Sequence, residues 1–240
     1  MKALLASVAF CTRIPIRVPF TTEEVGKAAR WFPVVGAMLG LLYWGIASVF
    51  QSILPVAVIA VVIVAAEALV TGALHFDGLA DTLDGFGGGK TREDVLRIMR
   101  DHAIGTYGAM ALILLVALKV TAMAALIGQH RLFPVVVLAP ALGRWNVVLL
   151  SWWLPYARPS QAVSRSIGRQ EMLWATLATL LLVCVARSWH GGLYWVGSGL
   201  CAVLFGSFYR KKIDGVTGDT LGASEQLGES VALLIGLALR

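Results

Sequence analysis

Residues 31–66 read WFPVVGAMLGLLYWGIASVFQSILPVAVIAVVIVAA, 36 consecutive positions without a formally charged side chain. A helix rises about 1.5 Å per residue and the hydrocarbon core of a bilayer is about 30 Å thick, so one crossing takes about 20 residues. The stretch is therefore long enough for two crossings. Gln51, Ser52 and Pro55 mark the turn, which predicts spans over 33–53 and 55–74. Glu67 falls inside the second, where a charge is costly unless it is paired or faces a polar cavity. The whole chain agrees: 58% of its 240 residues are hydrophobic and 14% charged, with a mean hydropathy of +0.78. Soluble domains carry about 25% charge. Soluble, disordered, collagen-like and disulfide-scaffold classes are thereby excluded. The apolar runs are continuous rather than alternating, which excludes a membrane β-barrel.

Outward from this stretch the same reading predicts spans at 107–128, 132–154, 172–187 and 192–209, the first two of these interrupted by Lys119 and Arg144. A polar loop is expected at 210–229, then an apolar tail at 230–239 that is too short to cross. The expected fold is all-α: a polytopic membrane bundle of six full spans plus a short C-terminal apolar helix, with residues 1–240 forming one membrane-embedded domain. The apolar residues after Lys2 read as an interfacial helix, because no small-residue cleavage site follows them. Cys11, Cys184 and Cys201 form no CxxC pair, so neither zinc nor a disulfide framework is expected.

Charge orients the bundle. With the N-terminus inside, the four inner segments hold five, four, three and three Lys/Arg, 15 of the 20. Outside lie only Arg131 and Arg187, and the remainder are Arg240, Lys119 and Arg144. This is the positive-inside pattern, and it accounts for the net charge of +6 without a nucleic-acid partner. Thirteen of the 14 acids share the inner side on this reading, leaving only Glu67 in the membrane. Acids contribute little to orientation, so their crowding calls for chemistry.

The first cluster is His75-Phe-Asp77-Gly-Leu-Ala-Asp81-Thr-Leu-Asp84. Carboxylates at i, i+4 and i+7 fall within about 60° of one helix face. They repel one another, and a divalent cation removes that penalty. All-oxygen ligands suit Mg²⁺ or Mn²⁺, which complete their shells with water and substrate phosphate. Asp77, Asp81 and Asp84 thus read as metal ligands of a phosphate or diphosphate site. The run Gly85–Lys90 lacks Walker A spacing by one residue and is expected to be a flexible connection. Next, Arg97, Arg100 and Asp101 share a helical face, where the arginines suit phosphate oxygens and Asp101 a metal or an arginine. Gly105 and Gly108 suit close packing or a turn. A second polar segment carries Lys211, Asp214, Thr217 and Asp219, with Glu225 and Glu229 four apart behind them. It reads as the other half of a divided site. Arg144, mid-span, is expected to pair with Glu67 or to reach a substrate phosphate.

These strings resemble the cobalamin synthase family, the adenosylcobinamide-GDP ribazoletransferases. The resemblance rests on Thr12-Arg13-Ile14-Pro15, Pro33-Val-Val-Gly36, HFDGLADTLDG, RIMRDHAIGTYG, APALGRW, PYAR at 155–158 and GVTGDTLGA, in order over nearly the whole chain. Phe76 stands where Leu is commoner, and Ser224-Glu225-Gln226 where an Asn-Glu pair is expected. The resemblance implies a Mg²⁺-dependent phosphotransferase in the bacterial cytoplasmic membrane. The ribose hydroxyl of α-ribazole or its 5′-phosphate attacks the cobinamide-bearing phosphorus of adenosylcobinamide-GDP. GMP leaves, and adenosylcobalamin or its 5′-phosphate forms. On this reading Asp77, Asp81 and Asp84 hold metal, and Asp101 or His75 takes the hydroxyl proton. Arg97, Arg100 and Lys211 contact phosphate, with Asp214, Thr217, Asp219 and Arg144 completing the substrate-binding set. A homo-oligomer is compatible with the family. Two other classes compete: a membrane alcohol phosphotransferase or prenyltransferase, which also aligns aspartates at a helix end, and a transporter. Transporters place their polar sites near the midplane, whereas the charge here reads as lying at one surface.

Overall fold

The structure, a computed structural model, describes residues 2–158, 167–186 and 190–239. Arg165, Arg187 and Arg240, counted above for orientation, lie outside the described residues. Among those described, the chain is helical, with one isolated parallel bridge between Tyr156 and Val216. The elements are α1 (Lys2–Cys11), α2 (Thr22–Ala28), α3 (Phe32–Phe50), α4 (Val56–Thr71), α5 (Leu74–Gly88), α6 (Arg92–Ile98), α7 (Thr106–Gly128), α8 (Leu132–Trp153), α9 (Arg169–Val185), α10 (Gly191–Ile213) and α11 (Gly218–Ala238). A 3₁₀ turn, Ala29–Trp31, leads into α3.

Local chemistry sets several boundaries. α2, α6 and α11 each open on a threonine whose hydroxyl accepts the backbone N–H three residues on: Thr21, Thr91 and Thr217. α4 ends at Gly72, in the left-handed region at φ +68°. With Ala73 also left-handed at φ +58°, the chain turns through 90° into α5. A side chain on Gly72 would also strike Arg13, whose backbone N–H donates to the Val70 carbonyl at 2.7 Å.

α8 is the central helix, buried nearly throughout and packed by α3, α9, α10 and α11. Gly36 and Gly40 of α3 lie directly on the α8 backbone at Pro140 and Val136–Val137, with no room for a Cβ. Close backbone approach at small residues is how membrane helices gain packing contacts where no hydrophobic drive exists between them. α4, α7, α9 and α10 surround this core with exposed apolar faces, among them Leu69, Ile113, Leu114, Leu181 and Leu204.

Among the described residues, four helical runs are long and apolar enough to cross a bilayer: Thr22–Phe50 (α2, the 3₁₀ turn and α3), α7, α8 and α10. The bent α4–α5 pair is a fifth by composition. Of the six expected spans, α4 and α9 have 16 and 17 residues, so the structure shows four to five by length and composition. The C-terminal expectation also changes. There is no polar loop over 210–229: α10 continues to Ile213 and α11 runs for 21 residues from Gly218. Its polar residues misled because they find partners inside the bundle rather than in water. The glycine run likewise is not a loose connection. Gly85, Gly87 and Gly88 continue α5, with Gly85 against Met99 and Gly87 flat against the Tyr107 ring.

The polar connections gather at one end of the bundle. There Arg92 of α6 donates to the carbonyls of Ala157 (2.6 Å) and Ile213 (3.1 Å), and Ala157 N–H donates to Val216 (2.8 Å). The other end is closed by Arg131 donating to the Gly236 carbonyl (3.2 Å) and by Trp44 against Phe133.

Candidate active site

α5 crosses α11 at a pair of glycines. A Cβ on Gly78 would lie 2.8 Å from the Asp219 carbonyl oxygen, and one on Gly222 would lie 3.2 Å from the His75 Cα. The missing side chains let the two backbones touch, and Asp77 and Asp81 of α5 are thereby set beside Asp219 in the first turn of α11. Asp219 accepts from the Thr217 hydroxyl (3.2 Å) and pairs with Arg158 at 3.1 Å. Among the described residues the Asp77 and Asp81 carboxylates accept no hydrogen bond. Asp81 is half-buried with Asp77, Asp84 and Asp219 around it, so its negative charge is set against like charges. The two sequence segments read as halves of one polar site do meet, through Asp219 and Thr217.

Asp84 is differently employed. Its Oδ2 accepts the Gly105 N–H at 2.7 Å and its Oδ1 the Gly108 N–H at 2.8 Å. Gly105 is the N-cap of α7 and has no side chain with which to cap the helix. A carboxylate from α5 supplies that cap and meets the positive end of the helix dipole. Gly105 and Gly108 are bare because a Cβ at either would collide with Asp84. Among the described residues no three His, Cys, Asp or Glu side chains converge on one cation position. The remaining carboxylates still suit a hard cation: they are all oxygen donors, mutually repulsive and short of partners, and Mg²⁺ usually takes only one or two carboxylates.

The other candidates are spread more widely. His75 is buried and points Nδ1 at Glu225 Oε2, 3.2 Å away. Asp101 is exposed and accepts the Ala103 N–H at 3.1 Å. Arg97 and Arg100 are exposed, Arg97 lying 3.6 Å from Asp94. Lys211 is exposed at the end of α10, and Asp214 (φ +58°) pairs with Arg92 at 3.4 Å.

Arg144 lies in the interior. Its Nη1 donates to Glu225 (2.5 Å), Glu229 (3.1 Å) and the Pro140 carbonyl (3.1 Å). The pairing with Glu67 expected of Arg144 belongs instead to Lys119, which donates to Glu67 (2.6 Å), Glu229 (2.7 Å) and Gln226 (2.9 Å). Gln226 links the two groups by donating to Glu67 (2.9 Å) and Glu225 (3.0 Å). The expectation that Glu67 is the one acid away from the inner face is therefore corrected, because Glu225 and Glu229 are 0% and 1% exposed. The contrast with a transporter drawn from surface charge loses its premise too: charge does sit mid-bundle. These charges, however, bond to one another, and the network links α4, α5, α7, α8 and α11.

Sequence reasoning passed over two arginines. Arg158 pairs with Asp219, and its signal was the PYAR string at 155–158. Arg92 ties α6 to the ends of two other segments, and nothing local marks it apart from other exposed arginines.

The cobalamin-5-phosphate synthase family model matches residues 3–238. Relatives named adenosylcobinamide-GDP ribazoletransferase include that of Shewanella frigidimarina, 34% identical with 100% of this chain and 95% of the relative covered. That of Ralstonia nicotianae is 35% identical (99% and 95% covered), and that of Rhizobium etli 36% (97% and 94%). No solved structure matches the chain. A family model spanning both halves of the carboxylate site, and relatives matched from end to end, place the chain in the cobalamin-5-phosphate synthase family.

Proposed function

We propose that the chain transfers the cobinamide-bearing phosphate of adenosylcobinamide-GDP to α-ribazole or its 5′-phosphate, with release of GMP. The observation that carries this reading is the glycine crossing of α5 and α11, which gathers Asp77, Asp81 and Asp219 with Arg158 at the polar end. Mg²⁺ is the proposed cofactor, held by Asp77 and Asp81 with Asp219 beside them; when bound it would neutralise diphosphate charge. Phosphoryl transfer needs mainly positioning and charge stabilisation. Arg158, held by Asp219 at the edge of this site, is the nearest fixed guanidinium for a phosphate oxygen. Arg97, Arg100 and Lys211, exposed at the same end, are suited to collecting the GDP portion. Asp101, exposed there, is the better placed of the two proposed proton acceptors. His75 is turned inward to Glu225 and orients α5 against α11.

This end is proposed to face the cytoplasm across the bacterial inner membrane, on the strength of the Lys/Arg asymmetry. The test is direct: purified protein with Mg²⁺, adenosylcobinamide-GDP and α-ribazole releases GMP, and the Asp81→Asn variant does not. Absence of GMP above that variant, or a lipid-linked product in its place, overturns the assignment.

A further inference from the structure

Beside the carboxylate site, residues 155–157 lie along Val216 as one parallel bridge. Val216 N–H donates to the Pro155 carbonyl at 2.9 Å, and Ala157 N–H to the Val216 carbonyl at 2.8 Å. Gly215 is seated on the Pro155 carbonyl with no room for a Cβ. A lone strand pair is marginal in water, and this one is braced by Arg92, the first residue of α6. Its Nη2 donates to the Ala157 carbonyl at 2.6 Å and its Nε to the Ile213 carbonyl at 3.1 Å. Nε and Nη2 form an edge of the guanidinium that can grip a single carboxylate. Here that edge is spread over carbonyls from two segments. Val95 of α6 and Met99 at its end cluster with Ala157 and Ile213. The Thr91 capping box fixes the start of α6 and so the direction in which Arg92 leaves it. Arg158 is the next residue after the bridge on one side, and Asp219 lies in the first turn after it on the other. The clamp therefore sets the backbone under both members of the Arg158–Asp219 pair.

We propose that Arg92 is a positioning residue for phosphoryl transfer, acting through Arg158. By locking residues 155–157 to the turn between α10 and α11, it holds the Arg158 guanidinium where the phosphate of adenosylcobinamide-GDP arrives. This rests on the transferase reading above, with Arg158 as the phosphate contact. Arg92 itself touches no substrate on this assignment: Nε and Nη2 are taken by carbonyls, and Asp214 lies 3.4 Å from Nε. A guanidinium stabilises charge in the transition state only if it is in place beforehand, and a misplacement of about 1 Å can cost about 100-fold in rate. Asp219 tethers the Arg158 side chain, yet it also stands beside the carboxylates proposed for Mg²⁺. The clamp keeps the Arg158 backbone in place whichever way Asp219 turns.

The test is a double-mutant cycle on GMP release by the full-length protein in detergent with Mg²⁺, adenosylcobinamide-GDP and α-ribazole. R92Q should lower kcat about 100-fold and leave KM for α-ribazole at the wild-type value. R158Q should lower kcat at least as far, and R92Q/R158Q no further than R158Q alone, because a residue acting through Arg158 then has nothing to act on. A merely structural loss would multiply with that of R158Q. Gly215→Ala opens the bridge from its other side with α6 intact. It should reproduce R92Q, should add nothing to R158Q, and carries the test if R92Q aggregates. Hydrogen exchange at the Ala157 and Val216 N–H groups should quicken in R92Q and in Gly215→Ala, a readout that needs no turnover. Losses that multiply in the double variants, wild-type kcat in R92Q, or unchanged exchange would overturn the proposal. Absence of GMP from wild type would remove the transferase reading itself, and this inference with it.

Discussion

Replacing Asp84 by Asn separates a helix cap from a metal ligand at a position where sequence alone suggests the ligand. Both Asp84 oxygens accept backbone N–H groups of the first turn of α7, at 2.7 and 2.8 Å. Hydrogen bonds to a charged group contribute about 1.5–3 kcal/mol each. Asn keeps one oxygen, loses the charge facing the helix dipole and points an NH₂ at the second donor. The expected loss is about 2–3 kcal/mol, or about 5–10 °C in apparent Tm for a chain of this size. Thermal unfolding in detergent measures this, and GMP release across a Mg²⁺ titration is read on the same preparations. Asp84→Asn should lower Tm and leave the Mg²⁺ dependence of the surviving activity close to wild type. Asp81→Asn should do the opposite: it abolishes GMP release without loss of Tm, because it removes a carboxylate repelled by its neighbours. An Asp84→Asn protein with unchanged Tm whose Mg²⁺ requirement has risen tenfold would refute the cap and restore Asp84 as a ligand.

Lys119→Met leaves Glu67 without a cation and Glu229 with Arg144 alone, and should cost about 3–5 kcal/mol, seen as aggregation during size-exclusion chromatography. Adding Glu67→Gln should recover part of the monodisperse peak, and no recovery would count against the pairing. Gly78→Val forces α5 away from α11 and should reduce GMP release about 100-fold with helix content by circular dichroism unchanged; full activity would dismiss the crossing as the organiser of the site. In a cysteine-free background, cysteines at the exposed positions 90 and 214 should react with a membrane-impermeant maleimide from one side of oriented vesicles, and one at 129 from the other. Labelling of 90 and 129 from the same side would break the two-ended arrangement.

The membrane class was legible in the sequence because apolar length is a one-dimensional property. Thirty-six uncharged residues after Arg30 cannot be placed in water, and α3, α7 and α8 begin within a residue or two of the predicted boundaries. The carboxylate cluster was equally legible, since i, i+4 and i+7 spacing on a helix puts Asp77, Asp81 and Asp84 on one side whatever the fold. What each carboxylate does depends on what lies opposite it, and that is set by other helices. Asp84 faces the bare N-terminus of α7, 21 residues on; Asp81 faces Asp77 and Asp219; Glu225 and Glu229 face Arg144 and Lys119. A charge counted along the chain reads as solvated, yet the same charge inside a bundle is tolerated once opposite charges reach it. Only the tertiary structure brings those partners together, so only it distinguished the cap, the candidate metal site and the buried network among residues of the same type.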